Sequence, residues 1–298
     1  MFTRCCSILV HMNNINSLVT IAVVNFQPVL DGSRPNKVET LKKIERFTME
    51  AVKRGANIVV FPELALTSYS GFPPEAAYEL SEPIPGESTS IIQKIASQHR
   101  IYVAFGMIER VGSKLYNAVP FIGPTGILGV YRKVHPAKFA EKWVTPGDSY
   151  PLIQTPWGPI GIGICYDNYC FPEVPRIYAL RGARIHLNVT AIPQFPDASD
   201  YLDFYVTMLG ARSIENNLFI ASANMVGRQG EFTYFGHSMI IGPKPGKMSY
   251  HIYAGPLGRE EGIAIATLDL SWLNNLPMGV RTIFEDRRPE TYIHLVKG

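Results

Sequence analysis

A mixed α/β fold, with two sheets and helices on their outer sides, is predicted by three features of this 298-residue chain. Strand-like and helix-like hydrophobic periods alternate in both halves. A run of hairpin-like strands lies between the halves, where one all-parallel sheet would have only crossovers. Several strands read as nearly continuous apolar runs, the pattern of strands covered on both faces. No linker and no fixed-period repeat interrupts the chain, so one domain is predicted over residues 18–298, after a tail at residues 1–17.

The elements follow in order. Residues 18–26 are β-branched and apolar, a buried strand. A turn-rich loop at 31–36 leads to Val38, Leu41, Ile44, Phe47 or Thr48, and Ala51-Val52, which recur at helical spacing until Gly55. Residues 58–61 form a second buried strand that ends at Pro62-Glu63. Ser88 is placed to cap an amphipathic helix running to His99. Strands follow near 101–108, 116–122 and 127–131, the last two joined through Gly123-Pro124-Thr125-Gly126 as a hairpin. A Pro/Gly-rich passage at 144–159 precedes a strand in which isoleucine and glycine alternate from Ile160 to Ile164, ending at Cys165. The glycines leave one strand face bare, open to a close approach of other backbone. A helix then runs from Phe171-Pro172-Glu173 to Gly182, with Pro172 in its first turn. Residues 185–189 are a strand and 201–216 a helix; strands at 219–225, 237–241 and 263–268 complete the chain.

Composition narrows the function. A hydrophobic fraction of 46% with 18% charged residues specifies a globular chain rather than a disordered one. The net charge of +3 is spread among interspersed acids, which points away from nucleic acid and from anionic membrane surfaces. Cys5, Cys6, Cys165 and Cys170 show no C-x-x-C spacing, so no zinc site is read, and a reduced cytoplasmic setting fits them. No apolar stretch reaches bilayer-spanning length. Arg4 followed by residues 5–10 faintly imitates a signal peptide, but the apolar core is short and no small-residue cleavage site follows.

Three strand ends deliver an ionisable group: Glu63 after Phe61-Pro62, Lys133 after Tyr131-Arg132, and Cys165 after Gly163-Ile164. Ligands gather at strand carboxyl ends in doubly wound sheets, so these groups are expected to converge. Taken singly, each has a plainer reading: a loop-capping glutamate, a solvated lysine, a small buried cysteine. Glu141, within Lys138-Phe139-Ala140-Glu141-Lys142, reads as surface charge. Helix N–H groups after Cys165 are expected to favour its thiolate.

Together these segments resemble the nitrilase superfamily of carbon-nitrogen hydrolases, from Val19 to His294. Phe61-Pro62-Glu63-Leu64-Ala65-Leu66-Thr67-Ser68-Tyr69 is similar to its glutamate motif, with Ser68 where glycine is common. Tyr131-Arg132-Lys133-Val134-His135 resembles its lysine motif, and Gly163-Ile164-Cys165-Tyr166-Asp167 its cysteine motif. Thr145-Pro146-Gly147-Asp148, residues 212–217 and residues 287–292 agree as well. The resemblance implies an αββα sandwich, a four-layer α/β arrangement, with Cys165 as nucleophile, Glu63 as general base, Lys133 as electrostatic stabiliser and Glu141 as a second, substrate-orienting carboxylate. It implies a homodimer or larger assembly, and pocket walls from Tyr69, Trp143, Tyr166, Asn168 and Ile192. Neither metal nor organic cofactor is called for.

The expected reaction is hydrolysis of a small-molecule amide through a Cys165 thioester, with release of ammonia. Lys133 is expected to keep Glu63 ionised. Alternatives are a nitrile substrate, since Asn168-Tyr169 echoes nitrilases, and an N-carbamoyl amide; Cys165-Tyr166-Asp167 and Phe171-Pro172-Glu173 favour the amidase and carbamoylase branches. A Cys-His hydrolase would instead use His135 or His186 as base, and an inactive scaffold would lack a triad residue. Cys170 reads as a buried spectator rather than a disulfide partner of an oxidised Cys165.

Overall fold

The structure, a computed structural model, describes residues 16–69, 74–194, 201–275, 277 and 282–296. Residues 1–15, with Cys5, Cys6 and most of the predicted tail, lie outside the described residues. Asn16 and Ser17, assigned to that tail, already bond to the folded chain: Asn16 N–H donates to Pro156 O (3.2 Å), and Leu270 N–H donates to Ser17 O (2.7 Å).

The first half contains β1 (Leu18–Asn25), a small ribbon of β2 (Leu30–Asp31) and β3 (Arg34–Pro35), α1 (Lys37–Lys53), β4 (Ile58–Val60), α2 (Pro74–Leu80), α3 (Glu87–His99), β5 (Tyr102–Ala104), β6 (Met107–Val111), β7 (Lys114–Gly123) and β8 (Gly126–Arg132). The second contains β9 (Ile153–Thr155), β10 (Gly158–Ile164), α4 (Tyr166–Cys170), α5 (Glu173–Leu180), β11 (Ile185–Thr190), α6 (Tyr201–Asn216), β12 (Phe219–Asn224), β13 (Val226–Gln229), β14 (Phe232–Phe235), β15 (Met239–Pro243), β16 (Tyr250–Ala254) and β17 (Gly262–Asp269). One sheet runs β17-β1-β4-β5-β7-β6, with β8 also on β7; the other runs β16-β15-β12-β11-β10-β9. Strands β1, β4 and β5 pair in parallel, as do β10, β11 and β12, and the central hairpins supply the antiparallel side of the first sheet. Strand β17 returns antiparallel to β1, from Leu18↔Asp269 to Asn25↔Gly262.

Alternation of side chains across each strand builds the layers. Ile21, Val23, Ile58, Val60 and Phe121 of the first sheet share a core with Ile160, Ile162, Ile164, Leu187 and Val189 of the second. Burying each such side chain stabilises the fold by about 1.5–3 kcal/mol. Val24, Val59 and Val103 turn outward onto Leu41 and Ile44 of α1 and Ile92 and Ile95 of α3. Behind the second sheet, Ile220 and Ile241 pack on Val174 and Tyr178 of α5 and Tyr205 and Leu209 of α6. The layers run helix, sheet, sheet, helix: the αββα sandwich is the architecture observed.

Several expectations shift in detail. The stretch 101–108 is two strands, broken at Phe105-Gly106. Gly86 in extended conformation, not Ser88, caps α3. Ser88 donates its N–H and hydroxyl to buried Glu82 (2.9 and 2.7 Å), so a carboxylate outside the helix satisfies a first-turn amide. Pro172 is the N-cap of α5 rather than its first turn. Val38 is exposed, outside the α1 stripe. Gly161 and Gly163 do admit a close neighbour, but it is side chain rather than backbone: an added Cβ would meet Tyr178 Cγ at 2.4 Å and Asn168 Oδ1 at 2.3 Å, respectively. Strands β9, β13, β14 and β16 and helix α2 are too short or too irregular in pattern to read from sequence.

Candidate active site

Glu63 comes from a tight turn after β4. Gly106 N–H donates to Pro62 O (3.0 Å) and Leu66 N–H to Gly106 O (3.1 Å), and a Cβ at Gly106 would lie 2.7 Å from Glu63 Cα. The break in strand 101–108 is therefore what lets Glu63 in. Leu64 (φ 47°) and Ser68 (φ 70°) are left-handed, which explains a preference for glycine at position 68. Ser68 stays in that conformation with its hydroxyl donating to buried Gln229 Oε1.

Lys133 follows β8 directly. Its N–H donates to Asn117 O (2.9 Å) and Gly147 N–H donates to its carbonyl (2.8 Å), which ties the Thr145–Asp148 motif to the lysine. Lys133 Nζ donates to Glu63 Oε1 (2.7 Å) and to Glu141 Oε2 (2.7 Å), and all three side chains are buried. Glu141 is thus a member of the cluster, not surface charge; Ala137 N–H also donates to its Oε2 (2.8 Å). Sequence reasoning missed Asn117, whose Nδ2 bridges Glu63 Oε1 (2.8 Å) and Glu141 Oε1 (2.7 Å) from β7. Its only sequence signal was a polar residue inside a strand whose neighbours are almost all buried and apolar. Glu63 Oε2 is buried and has no hydrogen-bond partner among the described residues.

Cys165 sits between β10 and α4 at φ 47°, ψ −102°, a conformation that costs a non-glycine residue about 1–3 kcal/mol and persists only when its surroundings impose it. Its N–H donates to Val189 O (2.9 Å), and its carbonyl accepts from Asn168 N–H (2.9 Å). Cys165 is half-buried as a residue but its thiol lies inside, with the Thr190 hydroxyl and Ala191 N–H beside it; Cys170, expected to be buried, is exposed.

Electrostatics revise two expectations. Burial, followed by the negative Glu63, pushes the Cys165 thiol far above its ordinary range, and Lys133, Thr190 and Ala191 only partly oppose this. The thiol is therefore neutral, and the short helix α4 does not make it a thiolate. Burial also outweighs Lys133 at Glu63, and Glu141 adds to the effect, so the Glu63 carboxyl is raised from 4.5 to about 7. Lys133, flanked by two carboxylates, is held charged well above its usual value although burial opposes it.

The expected walls divide. Tyr69 lies over the cluster, its ring centre 5.9 Å from Lys133 Nζ and edge-on to Tyr234 at 6.4 Å. Trp143 is half-buried and packs with Leu64 and Tyr69. Tyr166 is half-buried, its ring edge-on to Phe171, and Ile192 is buried behind the site. Asn168 is not a wall residue: its amide points into the interior, donating to Asn188 Oδ1 (2.5 Å) and accepting from His186 Nε2 (2.7 Å). Tyr201, at the start of α6, is a missed neighbour: its hydroxyl is raised chiefly by burial, and it is near enough to Cys165 for a thiolate there to add to that. His186 is buried and pushed down to about 3, hence neutral, and His135 is held by Asp167 (2.8 Å); neither stands among the groups acting on the thiol. Among the described residues no cluster of His, Cys, Asp and Glu could hold a metal ion, and no helix is long and apolar enough to cross a membrane.

This αββα sandwich, with Glu63, Lys133 and Cys165 each delivered at a strand end, is the fold of the nitrilase superfamily. The family signature described as carbon-nitrogen hydrolase matches residues 20–277, and the chain belongs to that family. It is 31% identical over 280 residues to a nitrilase of Pyrococcus abyssi, covering 92% of this chain and 99% of that one. It is 30% identical over 275 residues to a human omega-amidase, covering 86% and 92%. In three dimensions it is similar to a carbon-nitrogen hydrolase of Helicobacter pylori G27, with a TM-score of 0.81 and 27% identity over 95% of this chain and 99% of the other.

Proposed function

We propose that this protein hydrolyses a small primary amide through a thioester on Cys165, releasing ammonia and then the acid. One observation carries the reading: the buried Glu63 Oε2 has no hydrogen-bond partner among the described residues, while Oε1 is fixed by Lys133 and Asn117. A carboxylate anchored by one oxygen and free at the other is built to pass a proton. Its raised affinity, near 7, suits both taking and giving one at neutral pH.

In the first half-reaction Cys165 Sγ attacks the amide carbon as its proton moves to Glu63 Oε2. Negative charge grows on the carbonyl oxygen. Lys133 spends two of its three Nζ hydrogens on Glu63 and Glu141, which leaves the third for that oxygen. The Tyr166 N–H, first in α4 and without an intrahelical acceptor, is the second donor. The C–N bond then breaks as Glu63 returns its proton to nitrogen, and ammonia leaves. In the second half-reaction water attacks the thioester carbon, gives its proton to Glu63, and expels Sγ, which regains that proton.

The relative named nitrilase favours a second substrate, a nitrile, on the same residues. There Sγ adds to the triple-bond carbon, and the thioimidate takes up water and loses ammonia to reach the same thioester. Ammonia release from matched amides, nitriles and carbamoyl compounds separates these cases. Amide turnover that Cys165→Ala abolishes, with an acyl mass increase on wild-type Cys165, supports the proposal; retained turnover in Cys165→Ala refutes it. Cys165→Ala is cleaner than Lys133→Ala, which strands two buried carboxylates. A reduced cytoplasm, as the cysteine spacing suggests, is the setting proposed. A homodimer or larger assembly, as the family resemblance implies, is tested by sedimentation.

A further inference from the structure

We propose that Asp167 is a positioning residue for this site: one carboxylate locks the segment bearing Lys133 to the segment bearing Cys165. The kinetic part of the inference rests on the amide hydrolysis proposed above. Asp167 is fully buried and accepts four hydrogen bonds. Its Oδ2 accepts from the Tyr131 hydroxyl (2.8 Å) and from Ile164 N–H (3.1 Å). Its Oδ1 accepts from His135 N–H (2.9 Å) and from His135 Nδ1 (2.8 Å).

The spacing of these donors gives the arrangement its meaning. Tyr131 and His135 stand two residues before and two after Lys133, so the carboxylate grips both sides of the lysine. Ile164 and Asp167 bracket Cys165, so the bond from Ile164 N–H to the 167 side chain closes a small ring across the cysteine. That ring is a local constraint able to hold Cys165 at φ 47°, a conformation the residue would otherwise leave. The His135 ring also stacks on Phe171 (3.7 Å between centroids, 9° between planes), at the far end of α4. The clip therefore sets the sulfur, the ammonium and the first turn of α4 in one frame.

All four contacts are donors, which makes the residue type specific. Asparagine keeps the shape but turns an NH2 group toward one pair of donors and loses those two bonds. Tyr131→Phe removes a single bond and leaves the carboxylate in place.

The test compares wild type, Asp167→Asn and Tyr131→Phe by circular dichroism, by kcat and KM per folded site, and by the rate at which iodoacetamide alkylates Cys165, read by peptide mapping. Displacing reacting groups by about 1 Å costs about 100-fold in rate. Asp167→Asn is expected to lower kcat by about that factor with KM within about threefold, to slow Cys165 alkylation about tenfold, and to stay folded; Tyr131→Phe is expected to lower kcat about tenfold. An Asp167→Asn protein that melts earlier yet keeps kcat and alkylation within about threefold has lost only stability, and the proposal is overturned. If Asp167→Asn does not fold, Tyr131→Phe decides alone, and an unchanged kcat and alkylation rate overturn it. If wild type hydrolyses no amide, the functional reading fails by itself. Alkylation needs no substrate and still judges Asp167: unchanged rates in both variants reject it.

Discussion

Replacing Glu63 by glutamine should stabilise the protein more as pH rises, because the wild-type carboxyl is held in a place that disfavours its charge. In the unfolded chain this group loses its proton near 4.5; in the folded protein it holds the proton to about 7, since burial outweighs the pull of Lys133. Between those values the folded state binds more protons than the unfolded one, so stability falls as pH rises from 4.5 through 7, and the cost is complete above 7. The difference between 7 and 4.5 is about 2.5 pH units, which at about 1.36 kcal/mol per unit is about 3 kcal/mol. Most of it develops between pH 5 and pH 8. Urea unfolding of wild type and Glu63→Gln across that range measures it, with groups common to both proteins cancelling in the difference. Glu63→Gln should gain on wild type by about 2–3 kcal/mol from pH 5 to pH 8. Stability curves that run parallel would refute the claim that Glu63 ionises late, and with it the proton shuttle built on that claim.

Activity should respond in the opposite sense. Glu63 must be ionised to accept the thiol proton, so kcat/KM should fall about tenfold per pH unit below an acid limb near 7, and a limb near 4.5 would contradict the burial argument. Asn117→Leu removes one amide from two buried carboxylates; hydrogen bonds to charged groups contribute about 1.5–3 kcal/mol each, so kcat should drop by about 10-fold to 100-fold, and unchanged turnover would show that Lys133 alone sets Glu63. Gly163→Ala forces a methyl to within 2.3 Å of Asn168 Oδ1, behind Cys165. Overpacking of this kind costs about 1–3 kcal/mol, so a thermal melt should fall by several degrees, and an unshifted melt would mean that α4 is free to move.

The three strand ends carrying Glu63, Lys133 and Cys165 were legible as positions because a strand-like run precedes each, whereas their roles came from the resemblance of the three motifs taken together. The alternation of Ile160, Ile162 and Ile164 with glycine likewise marked one bare face, since side-chain direction along a strand has a period of two; that the isoleucine face meets the inter-sheet core came from the structure. What sequence left open is what depends on partners far along the chain. Glu141 looked solvated because its burial comes from Lys133 and Asn117, and Asn117 itself stands in a strand with no local mark of function. Asn168 looked like a wall because adjacency to Cys165 says nothing about direction, and the bare face at Gly163 is what turns its amide inward. Charge states were the least legible: the order of residues puts an ammonium near a carboxylate and a thiol, but only packing decides how much water is lost, and here desolvation exceeds the attraction. Local pattern therefore determined most of the longer elements and which residues could react, whereas the closing of two sheets over them determined which groups touch and which carry charge, because both depend on distances and burial that no neighbouring residues encode.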